Sequence, residues 1–345
     1  MKKHPGTSDA ILALFVFVAV NLYCNVPVVA NDALPQLRLA DRVRIAEAFR
    51  IADQFQNELW AGWSEVPFTI LLVTPEQEFL IRHPEPTQDF TPVGFDSLLD
   101  CEVWQRDTVF GTHFLATFPA VNDVPTVVIG QPEHTGKSST AWTMTLLHEH
   151  FHQLQNSTPG YYQAVNDLDL AGDDRTGMWM LNYPFPYEAV KVGEKYRQLC
   201  DQQLTALRSR GTPHFPAALG KYLQTRELLT TSLASPDQKY LSFQLWQEGV
   251  ARYTEYRMAN LAAALYEPTA EFCALDDYTT LQECANQILD RTMNSIEQLS
   301  LADYGRVAFY STGAGDALLL DEINPQWRSE YFTEWFALGK LFPLQ

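Results

Sequence analysis

Five consecutive residues, His148-Glu149-His150-Phe151-His152, concentrate more potential chemistry than any other stretch of this chain. On a helix, His148 and His152 fall one turn apart and roughly 40° around the axis, so both imidazoles can reach one metal ion. Glu149 projects near the same face, where its carboxylate can hold a water beside that metal. His150 lies roughly 200° from His148 and faces elsewhere. The H-E-x-x-H spacing therefore predicts a metal-activated water with a carboxylate placed to take its proton. The competing reading is an ordinary amphipathic helix with histidines at its surface.

The surrounding elements favour a positioned site. Residues 124–130 (VPTVVIG) are β-branched and bounded by Pro and Gly, which predicts a strand. Ser138 and Ser139 are N-cap residues for a helix reaching about Asn156. Leu147, Phe151 and Leu154 form an apolar stripe turned away from His148 and His152. Upstream, the periodicity predicts a helix over 38–63 and short strands over 67–73, 78–81, 103–108 and 113–118. Residues 159–186 read as a long ordered loop. The aromatic run 178–187 within and after it reads as a lid, a cleft lining or a packed loop. Helices are predicted over 187–209, 216–234, 238–265, 280–299, 305–322 and 325–339. Asn324-Pro325 is read as the start of the last one. The fold class is α+β, with an α+β lobe over 31–160 and a helical lobe over 161–345.

Two histidines need a third protein ligand if the metal is a catalytic zinc with an open position. The stretch Trp246-Gln247-Glu248-Gly249-Val250-Ala251-Arg252-Tyr253-Thr254-Glu255-Tyr256 resembles the W-x-E-G-x-A-x-Y-x-E-Y helix of the neutral zinc aminopeptidases, and more broadly of the gluzincin metallopeptidases. The resemblance implies that Glu248 is the third zinc ligand. Glu255, two turns later, is the rival ligand or a supporting partner. Phe309-Tyr310-Ser311-Thr312-Gly313-Ala314 resembles the Y-x-x-G segment of the same enzymes, which implies that the Tyr310 hydroxyl stabilises the oxyanion. The chain has no histidine after His214, so a donor from the helical lobe must be another residue type.

The departures from those enzymes are substantial. Residues 153–247 separate the two metal-binding segments, where the aminopeptidases have a short gap. The G-x-M-E-N segment that grips a free amino terminus is absent, and the chain lacks the length for their flanking domains. The resemblance thus implies a zincin-like fold and a gluzincin-type site without aminopeptidase specificity: an exported zinc-dependent peptidase acting on a peptide or protein. Substrate backbone could add to a strand edge, over 127–130 or over 113–118. The rival functions are a degenerate zincin that binds without cleaving, and a zinc hydrolase of non-peptide amides or esters.

Whole-chain properties bound these readings. The formal net charge is −18 over 345 residues, which argues against nucleic acid or an anionic membrane as partner. Lys2 and Lys3 precede an apolar run from Ile11 to Leu22, and Val28-Val29-Ala30 is a small-residue cleavage site. Residues 1–30 therefore read as a signal peptide, with a secreted or periplasmic product and no stable membrane insertion after cleavage. Cleavage removes Cys24 and leaves Cys101, Cys200, Cys273 and Cys284, enough for two disulfides, with Cys273–Cys284 as the local pair. Asp167, Asp169, Asp173 and Asp174 form an acidic cluster that could take calcium, although without EF-hand spacing. Gly130 to Ser138 ends in Gly-Lys-Ser, but five residues separate its glycines where a P-loop has four, and Pro132 removes an amide.

Overall fold

The computed structural model describes residues 37–342; the segment read as a signal peptide, 1–30, lies outside them. The chain enters through helix α1 (Leu39–Leu59), whose buried residues include Ile45, Phe49, Ala52 and Phe55. Six strands follow: β1 (Ile70–Val73), β2 (Gln77–Ile81), β3 (Thr91–Asp96), β4 (Cys101–Asp107), β5 (Leu115–Val121) and β6 (Val124–Gly130). They form one sheet in the order β3-β4-β2-β1-β6-β5. Only β1 and β6 run parallel, with Ile70 opposite Val127. The sheet is open, and its two edges are β3 and β5.

Strand alternation sorts the sheet's side chains onto two faces. Ile70, Leu72, Phe79, Ile81, Val127 and Ile129 enter the main core. Leu71, Val73, Leu80 and Val128 build a smaller cluster on the opposite face. Helix α2 (Ser139–Ser157) lies on the main-core side together with α1. Then come α3 (Tyr161–Asp167), α4 (Val190–Ser209), α5 (Phe215–Thr230), α6 (Ser235–Gln244), α7 (Val250–Leu265), α8 (Leu281–Gln298) and α9 (Val307–Ile323). The protein is thus an α+β structure, and α7 packs against α1, α2, α8 and α9. One continuous apolar core runs from the sheet through these helices, so the two expected lobes share their interior.

Several expectations are corrected. Strand β3 escapes the sequence reading because Pro92 and Gly94 look like turn residues. It is an edge strand with a register shift between them, where both are tolerated. The helix expected over 325–339 reduces to one turn, Trp327–Glu330. Asn324 ends α9 instead of starting a helix, and a φ of 53° at Phe336 prevents helical continuation. This stretch gives up its ladder to bury Trp327, Tyr331 and Phe336. No cysteine among the described residues is paired: Cys284 faces the core while Cys273 is exposed. The aromatic run divides, with Trp179 and Phe185 in the core and Met178 and Leu181 exposed. Among the described residues, no helix is long and apolar enough to cross a membrane.

Candidate metal centre

Helix α2 starts as its sequence predicts, with Ser138 Oγ accepting from the Ala141 amide at 3.4 Å. Its histidines are all buried, which removes the reading of surface histidines. His150 points toward the sheet. Its ring stacks on Phe68 at 3.9 Å, and its nitrogens meet Gln153 Oε1 at 2.8 Å and Gln56 Oε1 at 3.1 Å. Burial drives the His150 pKa down to about 3. His148 and His152 turn the other way, with ring centroids 5.0 Å apart.

A second helix meets them there. It runs from Ser235 to Leu265, but over Leu245–Gly249 it widens into a π turn. Such turns expand the ladder locally and re-aim the side chains they carry. Glu248 sits inside this turn and brings its Oε2 to 3.6 Å from His152 Nε2. One ligand atom each from His148, His152 and Glu248 lie within 4.8 Å of one another. Among the described residues this is the one such convergence of His, Cys, Asp and Glu side chains. The acidic cluster behaves differently: Asp174 closes its own turn, accepting from the Thr176 and Trp179 amides at 2.7 and 2.5 Å. Asp167 accepts from Gln163 at 2.7 Å.

The imidazoles are oriented from behind. Gln155 Nε2 donates to the Gln247 carbonyl at 3.0 Å and to Tyr331 Oη at 2.7 Å. Those donations fix its amide, so Gln155 Oε1 must accept from His152 Nδ1 at 2.6 Å. With Nδ1 engaged by Gln155, Nε2 is the nitrogen that faces Glu248, and a metal there would take the place of its proton. His148 Nδ1 is buried without a hydrogen-bond partner, and Glu255 Oε2 lies 3.5 Å from it. Glu255 therefore backs His148 and stands outside the converging group, which contains Glu248. Two nitrogens and a carboxylate oxygen form a donor set that suits a first-row divalent ion.

The carboxylates supply the negative charge that a cation needs, while the imidazole must give up its proton to bind one. Burial alone would raise the Glu248 pKa, but His152 and His148 pull it down to about 2. Burial opposes charge on His152 too, and Glu248 outweighs it, taking the imidazole up to about 9. Glu255 is also held at about 2, since Arg252 and then His148 outweigh its burial. Both carboxylates stay ionised beside the imidazoles.

Glu149 shares the buried face. Thr117 Oγ1, on edge strand β5, lies 2.9 Å from both Glu149 Oε2 and the Glu149 carbonyl oxygen. Tyr310 arrives on α9. A methyl group on Gly313 would sit 2.5 Å from the Leu245 carbonyl oxygen and 2.8 Å from Gly249 Cα. Glycine at both positions lets α9 cross the π turn backbone against backbone. Tyr310, one turn before Gly313, consequently faces Glu248. Burial and the Glu248 charge keep its phenol pKa well above the usual value, and Arg306 donates to its oxygen.

Every residue singled out for the centre is thus brought together: His148, Glu149, His152, Glu248 and Tyr310, with Glu255 behind. Thr117, Gln155, Gln247 and Arg306 were not anticipated. Gln155 and Arg306 had a readable signal, lying three residues after His152 and four before Tyr310 on shared helix faces. Thr117 had none, because only the tertiary fold brings β5 to α2. His134 is exposed. No family model, curated protein or solved structure matches this chain.

Proposed function

We propose that this protein is an exported zinc-dependent peptidase of zincin-like fold. The observation that carries the reading is the convergence of His148, His152 and Glu248 around one point, with Glu149 and Tyr310 on its rim. Zinc fits the nitrogen and oxygen donors, and bound there it would polarise a carbonyl and lower the pKa of a water towards about 7. Glu149 Oε2, steadied by Thr117, accepts the proton of the attacking water and passes it to the leaving amine nitrogen. Tyr310, kept protonated, donates to the oxygen that gains charge as the carbonyl carbon becomes tetrahedral. Gln155 and Glu255 hold the two imidazoles in place.

Of the two strand edges considered for substrate, sheet topology favours β5. β6 is paired on both sides, by β1 and β5, whereas β5 is an edge. A peptide backbone adding to β5 would run beside Thr117 and Glu149. The export signal and the acidic surface agree with action on peptides outside the cytoplasm. An intact Glu149 with its own hydrogen-bond partner favours catalysis over a purely structural metal site.

The test is cleavage of a diverse peptide pool, read by mass spectrometry, with Glu149→Gln as control. Cuts by the wild type should fall about 10²–10⁴-fold in the variant, with one zinc per chain retained in both. A zinc-loaded, folded wild type that cuts nothing would overturn the peptidase reading.

A further inference from the structure

Arg306 differs from the other partly buried arginines of this protein in having neither a carboxylate nor a carbonyl partner among the described residues. The chain has 42 acidic and 24 basic residues, so counter-charges are plentiful; Arg257 and Arg328, for instance, share Asp321 at 3.0 and 2.8 Å. Arg306 is half-buried, and its one hydrogen bond to a described residue goes to Tyr310 Oη. A guanidinium carries five N–H donors in a fixed fork, so most of its donors lack a protein acceptor. They are not sealed in the interior. The buried guanidinium nitrogens without a partner among the described residues belong to Arg42, Arg252 and Arg257, so the free nitrogens of Arg306 reach solvent.

Local structure puts this cation on the accessible side of the metal centre. Gly305, at φ 52° and ψ −136°, separates a one-turn helix, Leu301–Tyr304, from α9. Arg306 is the N-cap of α9, where no side chain caps the helix and no acid lies in the first turn. The cation therefore adds to the positive end of the helix dipole instead of meeting a counter-charge. Tyr310 follows one turn later on the same face. The Tyr187 ring lies against the same bend, since a methyl group on Gly305 would meet its Cζ at 4.0 Å. Phe185 and Tyr187 both pack on Phe309, with ring centroids 5.2 and 6.1 Å apart, so the aromatic run walls Arg306 on one side. His148, Glu149, His152 and Glu255 are buried, whereas Glu248, Tyr310 and Arg306 are each partly exposed. Solvent thus reaches the centre on the α9 side past Glu248 and Tyr310, and Arg306 is hydrogen-bonded to the second of these.

We propose that Arg306 is a specificity-determining residue that takes a carboxylate of the substrate on the Tyr310 side of the metal centre. The occupant is an acidic peptide, held through its terminal carboxylate or through an Asp or Glu side chain. The inference rests on the peptidase reading and narrows its substrate class. A carboxylate there would accept parallel N–H groups of the guanidinium fork and supply the counter-charge that the start of α9 lacks.

The experiment compares zinc-loaded Glu149→Gln protein with the same protein carrying Arg306→Gln or Arg306→Lys, so that binding is read by calorimetry without turnover. Equal zinc occupancy in all three cancels any direct attraction between a carboxylate and the metal. The probes are N-acetyl-tetra-alanine with a free carboxylate, its C-terminal amide, and the same amide with one alanine replaced by Asp. With Arg306 present, at least one acidic probe should bind about tenfold more tightly than the neutral amide. Preference for the free acid assigns the terminal carboxylate, and preference for the Asp peptide assigns a side chain. Arg306→Gln should bring the ratio close to one while the neutral amide binds as before. Arg306→Lys, which keeps the charge without the fork, should retain part of the preference, an outcome that loss of the fold would not allow. Equal binding of acidic and neutral probes, no binding of either acidic probe, or a ratio unchanged by Arg306→Gln would overturn the proposal. Wild-type cleavage of the same peptides separates it from the peptidase reading. Acid preference in binding without any cleavage keeps the role of Arg306 and sinks the peptidase, while cleavage indifferent to charge does the reverse.

Discussion

At the scale of single residues, this centre depends on side chains that orient others. Glu255 was open as a ligand; its position 3.5 Å from His148 Nδ1, outside the converging group, fits the supporting role in the proposed centre. Replacing it by Gln keeps the shape and removes the charge. Metal affinity should then fall about 10–100-fold, the usual effect of losing such a partner, as measured by competition with a chromophoric chelator. Unchanged affinity would mean that His148 is held by something else. The sequence made the metal-facing residues legible because H-E-x-x-H has a fixed helical geometry. It hid Thr117, whose contact with Glu149 arises from a strand that no local pattern links to α2.

Among the elements, the π turn over Leu245–Gly249 decides where Glu248 points. Gly249 and Gly313 bring α9 against it, so the glycines in the two segments that resemble the aminopeptidases have a steric purpose in this chain. Gly313→Ala would place its Cβ 2.5 Å from the Leu245 carbonyl oxygen. The expected cost is about 1–3 kcal/mol of stability, seen as a lower urea midpoint, together with weaker metal binding because Glu248 and Tyr310 move apart. Loss of stability without loss of metal affinity would contradict this coupling. Helices with clear apolar stripes, such as α1 and α8, could be read from sequence. The final stretch could not, because aromatic burial outweighed the Asn-Pro start signal. β3 was hidden by the Pro and Gly that an edge strand accommodates.

For the whole molecule, burying histidine in the shared core ties stability to pH. His150 has its folded pKa lowered to about 3 by burial, against about 6.5 in an unfolded chain. His83 is shifted the same way by burial. Above the unfolded pKa both forms are neutral, so these groups cost nothing. Below it the unfolded chain gains protons that the folded chain does not, and stability falls as pH drops from about 6.5 towards 3. Between those two values His150 contributes a slope approaching about 1.4 kcal/mol per pH unit, and His83 adds to it in the same direction. His152, raised to about 9, has completed its change above this window, and Glu248 and Glu255, near 2, act chiefly below about 4.5. Urea unfolding at about pH 6.5 and pH 5 should therefore show a loss that shrinks in His150→Gln. Equal slopes in both proteins would exclude His150 as the source.

Tyr331 draws the last part of the described chain into the centre. Its ring lies flat on Trp246 at 4.2 Å. Its hydroxyl donates to the Trp246 carbonyl at 2.8 Å and accepts from Gln155, the residue that orients His152. A ribosome delivers the two histidines early, Glu248 much later, and Tyr331 later still. A growing polypeptide consequently carries its two imidazoles through most of synthesis without the frame that aims them. The proposed hydrolytic competence would then be a property of the finished fold, withheld from the nascent protein while its own unfolded segments are close at hand.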